Sequence, residues 1–304
     1  MEFTIGVPSP FNLDYTLESG QVFRWEKKGE WWYGVLPGGV LKVRQEGETL
    51  GCATESDLLG SGFVREYFRL DDDMEGILES IAKDETITHA VQRFYGLRLM
   101  KQERWECLAS FLLATNANIP RIRGMIASIC SKYGAAYRFE GGDYRGFPTA
   151  EALAEAKVED LESCGLGYRA KFLKHMARSV YEGRVDLGEV SFLDYEDSKK
   201  LLVKELLGEK VLLGVGPKVA DCALLYSFGK DEAFPIDVWI AKVLAKSYPR
   251  FFTPAVRKRL SIGTRPKLGR GEYEAVSKAA RDYFGPRAGF AQQYLYVWAQ
   301  SGAE

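Results

Sequence analysis

The sequence predicts an α+β chain in two parts. A small N-terminal antiparallel β-sheet domain with flanking helices occupies residues 1–92, and a larger all-α domain occupies residues 93–304. Three observations predict it. Short runs rich in β-branched and aromatic residues alternate with turns up to about residue 53. After about residue 62 the apolar spacing changes to that of helices. Further on, a glycine-rich hairpin joins two helical patterns. A chain of 304 residues can bury two cores, and 46% apolar with 27% charged residues is the composition of an ordinary globular protein.

The strands are predicted at Val22 to Trp25, Trp31 to Leu36, Val40 to Gln45 and Thr49 to Cys52. Lys27-Lys28-Gly29-Glu30, Pro37-Gly38-Gly39 and Glu46-Gly47-Glu48 make the turns, and such close spacing leaves no room for helical crossovers, so the strands form an antiparallel meander. Ile77, Leu78 and Ile81 then share one helix face, and Val91, Phe94 and Tyr95 another. Leu108, Phe111 and Leu112, followed by Ile122, Met125, Ile126 and Ile129, continue the pattern. Breaks are expected at Gly134, at Glu140-Gly141-Gly142-Asp143, at Gly165, near Gly188 and around Gly263 to Gly271.

Several classes are disfavoured. No run approaches the roughly 18 apolar residues of a membrane span, and the start Met1-Glu2-Phe3-Thr4-Ile5-Gly6 is not a basic leader before an apolar stretch. An intracellular protein with no membrane partner is the expectation. Five cysteines, Cys52, Cys107, Cys130, Cys164 and Cys222, lie far apart without a C-x-x-C pair, and there are two histidines, His89 and His175. No ligand set for zinc or an iron–sulfur cluster is apparent. The net charge of −1 conceals a basic segment: Lys242, Lys246, Arg250, Arg257, Lys258, Arg259, Arg265, Lys267 and Arg270 stand between residues 241 and 270 with no acid. Such a segment suits a polyanion, and equally a solvated helix face.

The most informative stretch is Leu213-Gly214-Val215-Gly216-Pro217-Lys218-Val219-Ala220-Asp221, set between the helical patterns Leu201 to Leu207 and Val219 to Phe228. Glycines permit a tight hairpin, Pro217 suits the first position of a helix, and the free amides of that helix start can hold a phosphate. This is a helix-hairpin-helix. It fits a packed turn, a DNA-binding scaffold or an enzyme. Lys218 stands on the first turn of the second helix, as a phosphate contact or, when neutral, a nucleophile. Nineteen residues on, Asp237 in Phe234-Pro235-Ile236-Asp237-Val238-Trp239 is a natural N-cap for the pattern Val238, Ile240, Ala241, Leu244, and a capping carboxylate keeps one oxygen for other work.

These two stretches, Gly-Val-Gly-Pro-Lys-Val-Ala-Asp-Cys and Pro-Ile-Asp-Val, resemble the helix-hairpin-helix DNA glycosylases, specifically the 8-oxoguanine DNA glycosylase/lyase branch. Four further stretches resemble the same family in its order: Ser19-Gly20-Gln21-Val22-Phe23-Arg24-Trp25, the run from Glu106-Cys107 to Asn116-Ala117-Asn118-Ile119-Pro120-Arg121-Ile122, Gly165-Leu166-Gly167-Tyr168-Arg169-Ala170, and Ala288-Gly289-Phe290-Ala291-Gln292-Gln293-Tyr294-Leu295-Tyr296. The resemblance covers nearly the whole chain. It implies a monomer that acts on double-stranded DNA containing 8-oxoguanine, flips the damaged nucleotide out and needs no cofactor for the chemistry.

Residue by residue, the resemblance implies Lys218 as the amine that attacks the sugar and Asp237 as the carboxylate that stabilises positive charge there. It implies Gly20 as reader of the hydrogen that oxidation adds to the guanine ring, Gln292 at the Watson–Crick edge, and Cys222 and Tyr296 on the two base faces. Asn116 would fill the vacated space, Arg121 and Arg169 would read the orphaned cytosine, and Tyr168 would wedge into the stack. Gly214, Gly216 and Val219 would meet a DNA phosphate, and a structural ion in the hairpin is left open. Two positions depart from the eukaryotic pattern: Trp239 replaces histidine and Tyr296 replaces phenylalanine. Two alternatives stay open on the residues alone, a glycosylase for another lesion and a non-catalytic DNA-binding repair scaffold.

Overall fold

A computed structural model describes residues 1–206, 209–262 and 268–302. The N-terminal sheet has five strands: β1 (Glu2–Gly6), β2 (Trp25–Lys28), β3 (Trp31–Leu36), β4 (Gly39–Glu46) and β5 (Thr49–Thr54). They lie in the order β1-β5-β4-β3-β2, all antiparallel, with Trp32 opposite Val43 and Val43 opposite Cys52. The expected meander is present with two differences. β1 was not foreseen; it closes the sheet edge against β5. The first meander strand begins at Trp25 rather than Val22 and runs through Lys28, so the turn shrinks to Gly29 and Glu30. Residues 22–24 are released from the sheet and lead toward the helical half.

Alternation decides what each sheet face buries. Trp25, Trp32, Leu41, Val43, Leu50 and Cys52 face a core completed by Leu13, Leu17, Tyr67 and Phe68. Val40 and Ala53 face the other way and meet Phe139. That residue belongs to a second hairpin, β6 (Ala136–Phe139) and β7 (Gly142–Arg145), where the sequence had suggested only a break. Lys42 pairs with Glu140 at 2.8 Å at its turn, so the helical half supplies the cover for the back of the sheet.

The second core is helical. Ile77, Leu78 and Ile81, then Ile87, Ala90 and Val91, pack with the helices Arg104–Leu113 and Ile119–Tyr133 and with all the later ones. Tyr95, expected on a buried face, is half exposed. Polar groups bind the two halves. Arg69 meets Asp231 through two bonds of 2.7 and 2.8 Å, and Arg287 meets the same carboxylate from the other side. Buried Gln21 donates to the Arg98 carbonyl at 2.8 Å and accepts from the Met100 amide at 2.8 Å, which anchors the segment before Arg24.

Arg24 forms the most titratable of these links, a 2.9 Å ion pair with Glu106. Burial pushes the Glu106 carboxyl from its ordinary 4.5 up to about 7, against the pull of Arg24. The folded chain then holds this proton more tightly than the unfolded chain. That contribution is fully present below pH 4.5 and is lost as pH rises through about 7. At about 1.4 kcal/mol per pH unit, the wild type should lose roughly 3 kcal/mol relative to Glu106→Gln between pH 5 and 8. Urea unfolding of both proteins at the two pH values checks this; parallel pH dependences would contradict it.

Candidate active site

The hairpin enters from the helix Tyr195–Leu202, which ends before the expected Leu207, and passes through the short strands Glu205–Leu206 and Glu209–Lys210. The helix Arg169–Tyr181 fixes the approach: Ser179 Oγ donates to the Val211 carbonyl at 2.7 Å, and the Leu213 amide donates to His175 Nδ1 at 3.4 Å. Gly214 has φ +87°, and a Cβ there would lie 3.0 Å from the Phe172 ring. Both the backbone angle and the contact therefore require glycine. Gly216 caps the helix Pro217–Ser227 in an extended conformation, with Pro217 at its first position and no side chain bonded to the cap. The amides of that first turn are left for an outside acceptor. Val219, also expected to offer its amide, has a buried side chain on this turn.

Lys218 is half buried on the first turn. Its Nζ lies 5.2 Å from the centre of the Phe111 ring, and that ring stacks on Tyr226 at 5.2 Å and meets Phe23 edge-on at 5.7 Å. One turn on is the buried Cys222, whose thiol burial pushes up to about 11 while Lys218 pulls it down. The amine is thus held between an aromatic face and a protonated thiol.

Asp237 caps the helix Val238–Ser247: its Oδ1 accepts from the Trp239 amide at 2.9 Å and from the Ile240 amide at 2.8 Å. Oδ2 is left over. Burial raises the pKa of this carboxyl, opposed by the Ile240 amide, the charge of Lys218 and the Trp239 amide. The charges of Lys218 and Asp237 are therefore close enough to influence each other. Trp239, in the position of the family histidine, is 38% exposed, and Lys242 Nζ lies 5.2 Å from the centre of its ring.

The residues expected to contact the base come next. Gly20 has φ +78°, and a Cβ there would stand 3.1 Å from Tyr296 Cε1. Gln293 Nε2 donates to the Ser19 carbonyl at 2.8 Å, which ties the helix Ala288–Gln300 to the Gly20 turn. Tyr296 feels both Asp237 and Cys222, and its hydroxyl accepts from Gln300 at 2.8 Å. Gln292 is buried, with Oε1 3.4 Å from Tyr226 Oη. The expected Gly20, Cys222 and Tyr296 thus adjoin the lysine and the aspartate, and Gln292 meets Tyr226, whose ring stacks on Phe111.

The residues expected to meet the opposite strand form a separate group. Asn116 adopts φ +53° in the turn after the helix Arg104–Leu113, and its Nδ2 donates to Tyr168 Oη at 3.2 Å. Tyr168 is 50% exposed and leans edge-on against Phe172, the residue that abuts Gly214. The two arginines expected to act together differ. Arg121 is exposed on the first turn of Ile119–Tyr133. Arg169 is 2% exposed, and its guanidinium donates to the carbonyls of Thr115, Asn116 and Leu166. Most of its donors hold the Asn116 turn and the Leu166 carbonyl.

Comparison with known proteins assigns the family. Residues 5–108 match the 8-oxoguanine DNA glycosylase N-terminal domain, and residues 109–250 match the HhH-GPD superfamily of base excision DNA repair proteins. The chain belongs to the 8-oxoguanine DNA glycosylase/lyase family. It is 31% identical over 268 residues to a probable N-glycosylase/DNA lyase of Methanothermobacter thermautotrophicus, covering 79% of this chain and 83% of that one. The solved structure of MBOgg1 in complex with a low-affinity DNA ligand superposes with a TM-score of 0.87 at 30% identity, covering 100% of this chain and 96% of the other. The Clostridium acetobutylicum 8-oxoguanine glycosylase/lyase, in complex with duplex DNA containing cytosine opposite 8-oxoguanine, superposes with a TM-score of 0.84 at 29% identity, covering 97% and 93%.

In this glycosylase/lyase fold, several residues at the site were not singled out by their sequence. Phe111 reads as an ordinary core position of a helix, and nothing in its spacing signals an amine over its ring. Gln293 and Tyr226 likewise declare themselves only through tertiary bonds, with Tyr226 Oη donating to Gln293 Oε1 at 2.5 Å. Among the described residues no group of three or more His, Cys, Asp or Glu side chains is placed to hold a metal ion. Of the basic segment, Lys242, Lys246, Arg250, Arg257, Lys258 and Arg259 are exposed, with Arg259 paired to Glu272; Arg265 and Lys267 lie outside the described residues.

Proposed function

We propose that this enzyme excises 8-oxoguanine opposite cytosine from duplex DNA through a Schiff base on Lys218, then nicks the strand by β-elimination. The observation that carries the reading is the convergence of Lys218, Asp237, Cys222 and Tyr296 beside the left-handed turn at Gly20. The Lys218 nitrogen forms a bond to the sugar C1′, the bond from C1′ to the base breaks with its electron pair leaving on the base, and a proton neutralises the base. Ring opening gives the protonated imine. Loss of a C2′ proton then expels the 3′ phosphate, and water releases the amine. The unshared oxygen of Asp237 opposes the positive charge that grows on the sugar as the base departs.

The Gly20 carbonyl accepts the ring hydrogen that distinguishes 8-oxoguanine from guanine, and normal guanine presents a repelling lone pair there. Cys222 and Tyr296 enclose the base, and Gln292 bonds its Watson–Crick edge. The thiol, pushed up to about 11, enters as a neutral group and so suits a base face. Amides of Gly214, Gly216 and Val219 take a phosphate, and double-stranded DNA is the partner. Asn116 fills the space left by the base, and Tyr168, exposed beside it, enters the stack.

Cytosine reading falls mainly to Arg121, which is exposed, whereas most donors of the buried Arg169 are engaged by backbone carbonyls. Arg121→Ala should therefore reduce the preference for cytosine over adenine opposite the lesion about tenfold, the scale of one lost base contact. Single-turnover rates against all four opposite bases measure it, and unchanged ratios would refute it. The function as a whole is tested with duplexes carrying 8-oxoguanine, a formamidopyrimidine, thymine glycol or 3-methyladenine, each incubated with borohydride. The strongest crosslink should form with 8-oxoguanine opposite cytosine. A stronger one with another lesion assigns a different substrate, and no crosslink together with no released base favours a non-catalytic scaffold.

A further inference from the structure

Behind the hairpin helix lies a buried polar cluster that the reaction does not use directly. Asp221, fully buried one turn after Lys218, accepts from Tyr195 Oη at 2.7 Å, from Lys199 Nζ at 3.1 Å and from Tyr273 Oη at 2.7 Å. Lys199 is balanced by Glu274 at 2.6 Å. The cluster ties the hairpin helix to the helices Tyr195–Leu202 and Arg270–Phe284. In a helix, fixing one residue fixes the roll of its neighbours one turn away. Anchoring Asp221 therefore sets the direction of Lys218 and of the adjacent Cys222.

Tyr273 does more than complete this cluster. Its hydroxyl donates to Asp221 and also accepts from the Ile236 amide at 3.2 Å. Ile236 directly precedes Asp237. One turn along the same helix, Ser277 Oγ donates to the Phe234 carbonyl at 3.2 Å, so the helix braces the Phe234–Asp237 segment at two points. A single phenolic oxygen thus bonds both to the helix that bears the lysine and to the segment that bears the aspartate. Tyr195 provides an internal control: it makes an equally short bond to Asp221 and is similarly buried, and its bond leads back to its own helix through Lys199 rather than toward Asp237.

We propose that the Tyr273 hydroxyl is a positioning group for the reaction, holding the hairpin helix and the Asp237 segment in the register that sets Lys218 against Asp237. The inference rests on the reading that these two side chains carry the chemistry. A displacement of about 1 Å between reacting groups can lower a rate up to about a hundredfold, so removal of one oxygen atom should be visible in turnover without abolishing binding.

The test compares Tyr273→Phe with Tyr195→Phe. Each removes one hydroxyl from Asp221 and should lower Tm by a similar amount. Single-turnover release of 8-oxoguanine opposite cytosine should be about tenfold slower or more in Tyr273→Phe than in Tyr195→Phe. Affinity for a duplex bearing a tetrahydrofuran abasic-site analogue opposite cytosine should stay within about twofold of wild type in both. Equal rates in the two variants would overturn the proposal, since the loss would then follow the burial of Asp221 alone. If Tyr273→Phe does not fold, Asp221→Asn/Tyr273→Phe, which removes the under-bonded buried charge, takes its place and should also be slow; a rate near wild type overturns the proposal. Lys218→Gln run alongside separates the two claims: retained base release there refutes the assignment of the nucleophile, whereas its loss together with a normal rate in Tyr273→Phe refutes only the positioning role.

Discussion

Lys218→Gln is expected to bind a duplex containing 8-oxoguanine opposite cytosine about as tightly as wild type and to release base at least about a thousandfold more slowly, the scale on which removing a nucleophile acts. The side chain contributes little to the fold. Lys218 is half buried against the Phe111 ring and the Cys222 thiol, and the nearby Asp237 keeps its bonds from the Trp239 and Ile240 amides when the amine is removed. Glutamine keeps a polar side chain of similar reach over the same ring but has no amine with which to bond carbon. Thermal unfolding should therefore shift little while base release and strand nicking fall together. A variant that kept base removal and lost only nicking would show that water, not the amine, displaces the base.

Asp237→Asn is expected to lower the rate of base release by about a hundredfold to a thousandfold, the range found when one preorganised electrostatic group is removed. Asparagine caps a helix about as well as aspartate, so its side-chain oxygen can still accept from the Trp239 and Ile240 amides, and the helix Val238–Ser247 should stay in place. What is lost is the charge. The same side chain should set the acid limb of the wild-type rate. Burial raises its pKa above the ordinary 3.8, so on acidification the charge is neutralised at a higher pH than an exposed aspartate would require. Rate–pH profiles of both proteins test this. The wild-type limb should lie above the usual carboxylate range, and the low rate of Asp237→Asn should lack it. A wild-type rate that stays level down to the pKa of a free aspartate would contradict the role.

The parts of this molecule legible in the sequence are those fixed by local chemistry. The turn residues at Gly38-Gly39 and Gly47 set the meander, Pro217 and Asp237 set two helix starts, and each falls where its backbone requirements place it. What was not legible depends on distant partners. β1 is a short run whose strand character comes from pairing with β5, and the hairpin at Ala136–Arg145 forms because Phe139 finds the back of the sheet. The helix before the hairpin ends at Leu202 although its apolar spacing continues to Leu207. In the site the same division holds. Lys218, Cys222 and Asp237 lie on marked motifs, whereas the aromatic floor at Phe111 and the engagement of Arg169 with Thr115 arise from contacts between segments far apart in the chain.

The most direct test of the account is to find the carbon–nitrogen bond itself. Wild-type protein turned over on an 8-oxoguanine:cytosine duplex in the presence of borohydride, digested and sequenced by mass spectrometry, should carry the reduced sugar remnant on Lys218. A remnant on another amine, such as the Met1 terminus or Lys242, or excision that proceeds with no adduct at all, would contradict it.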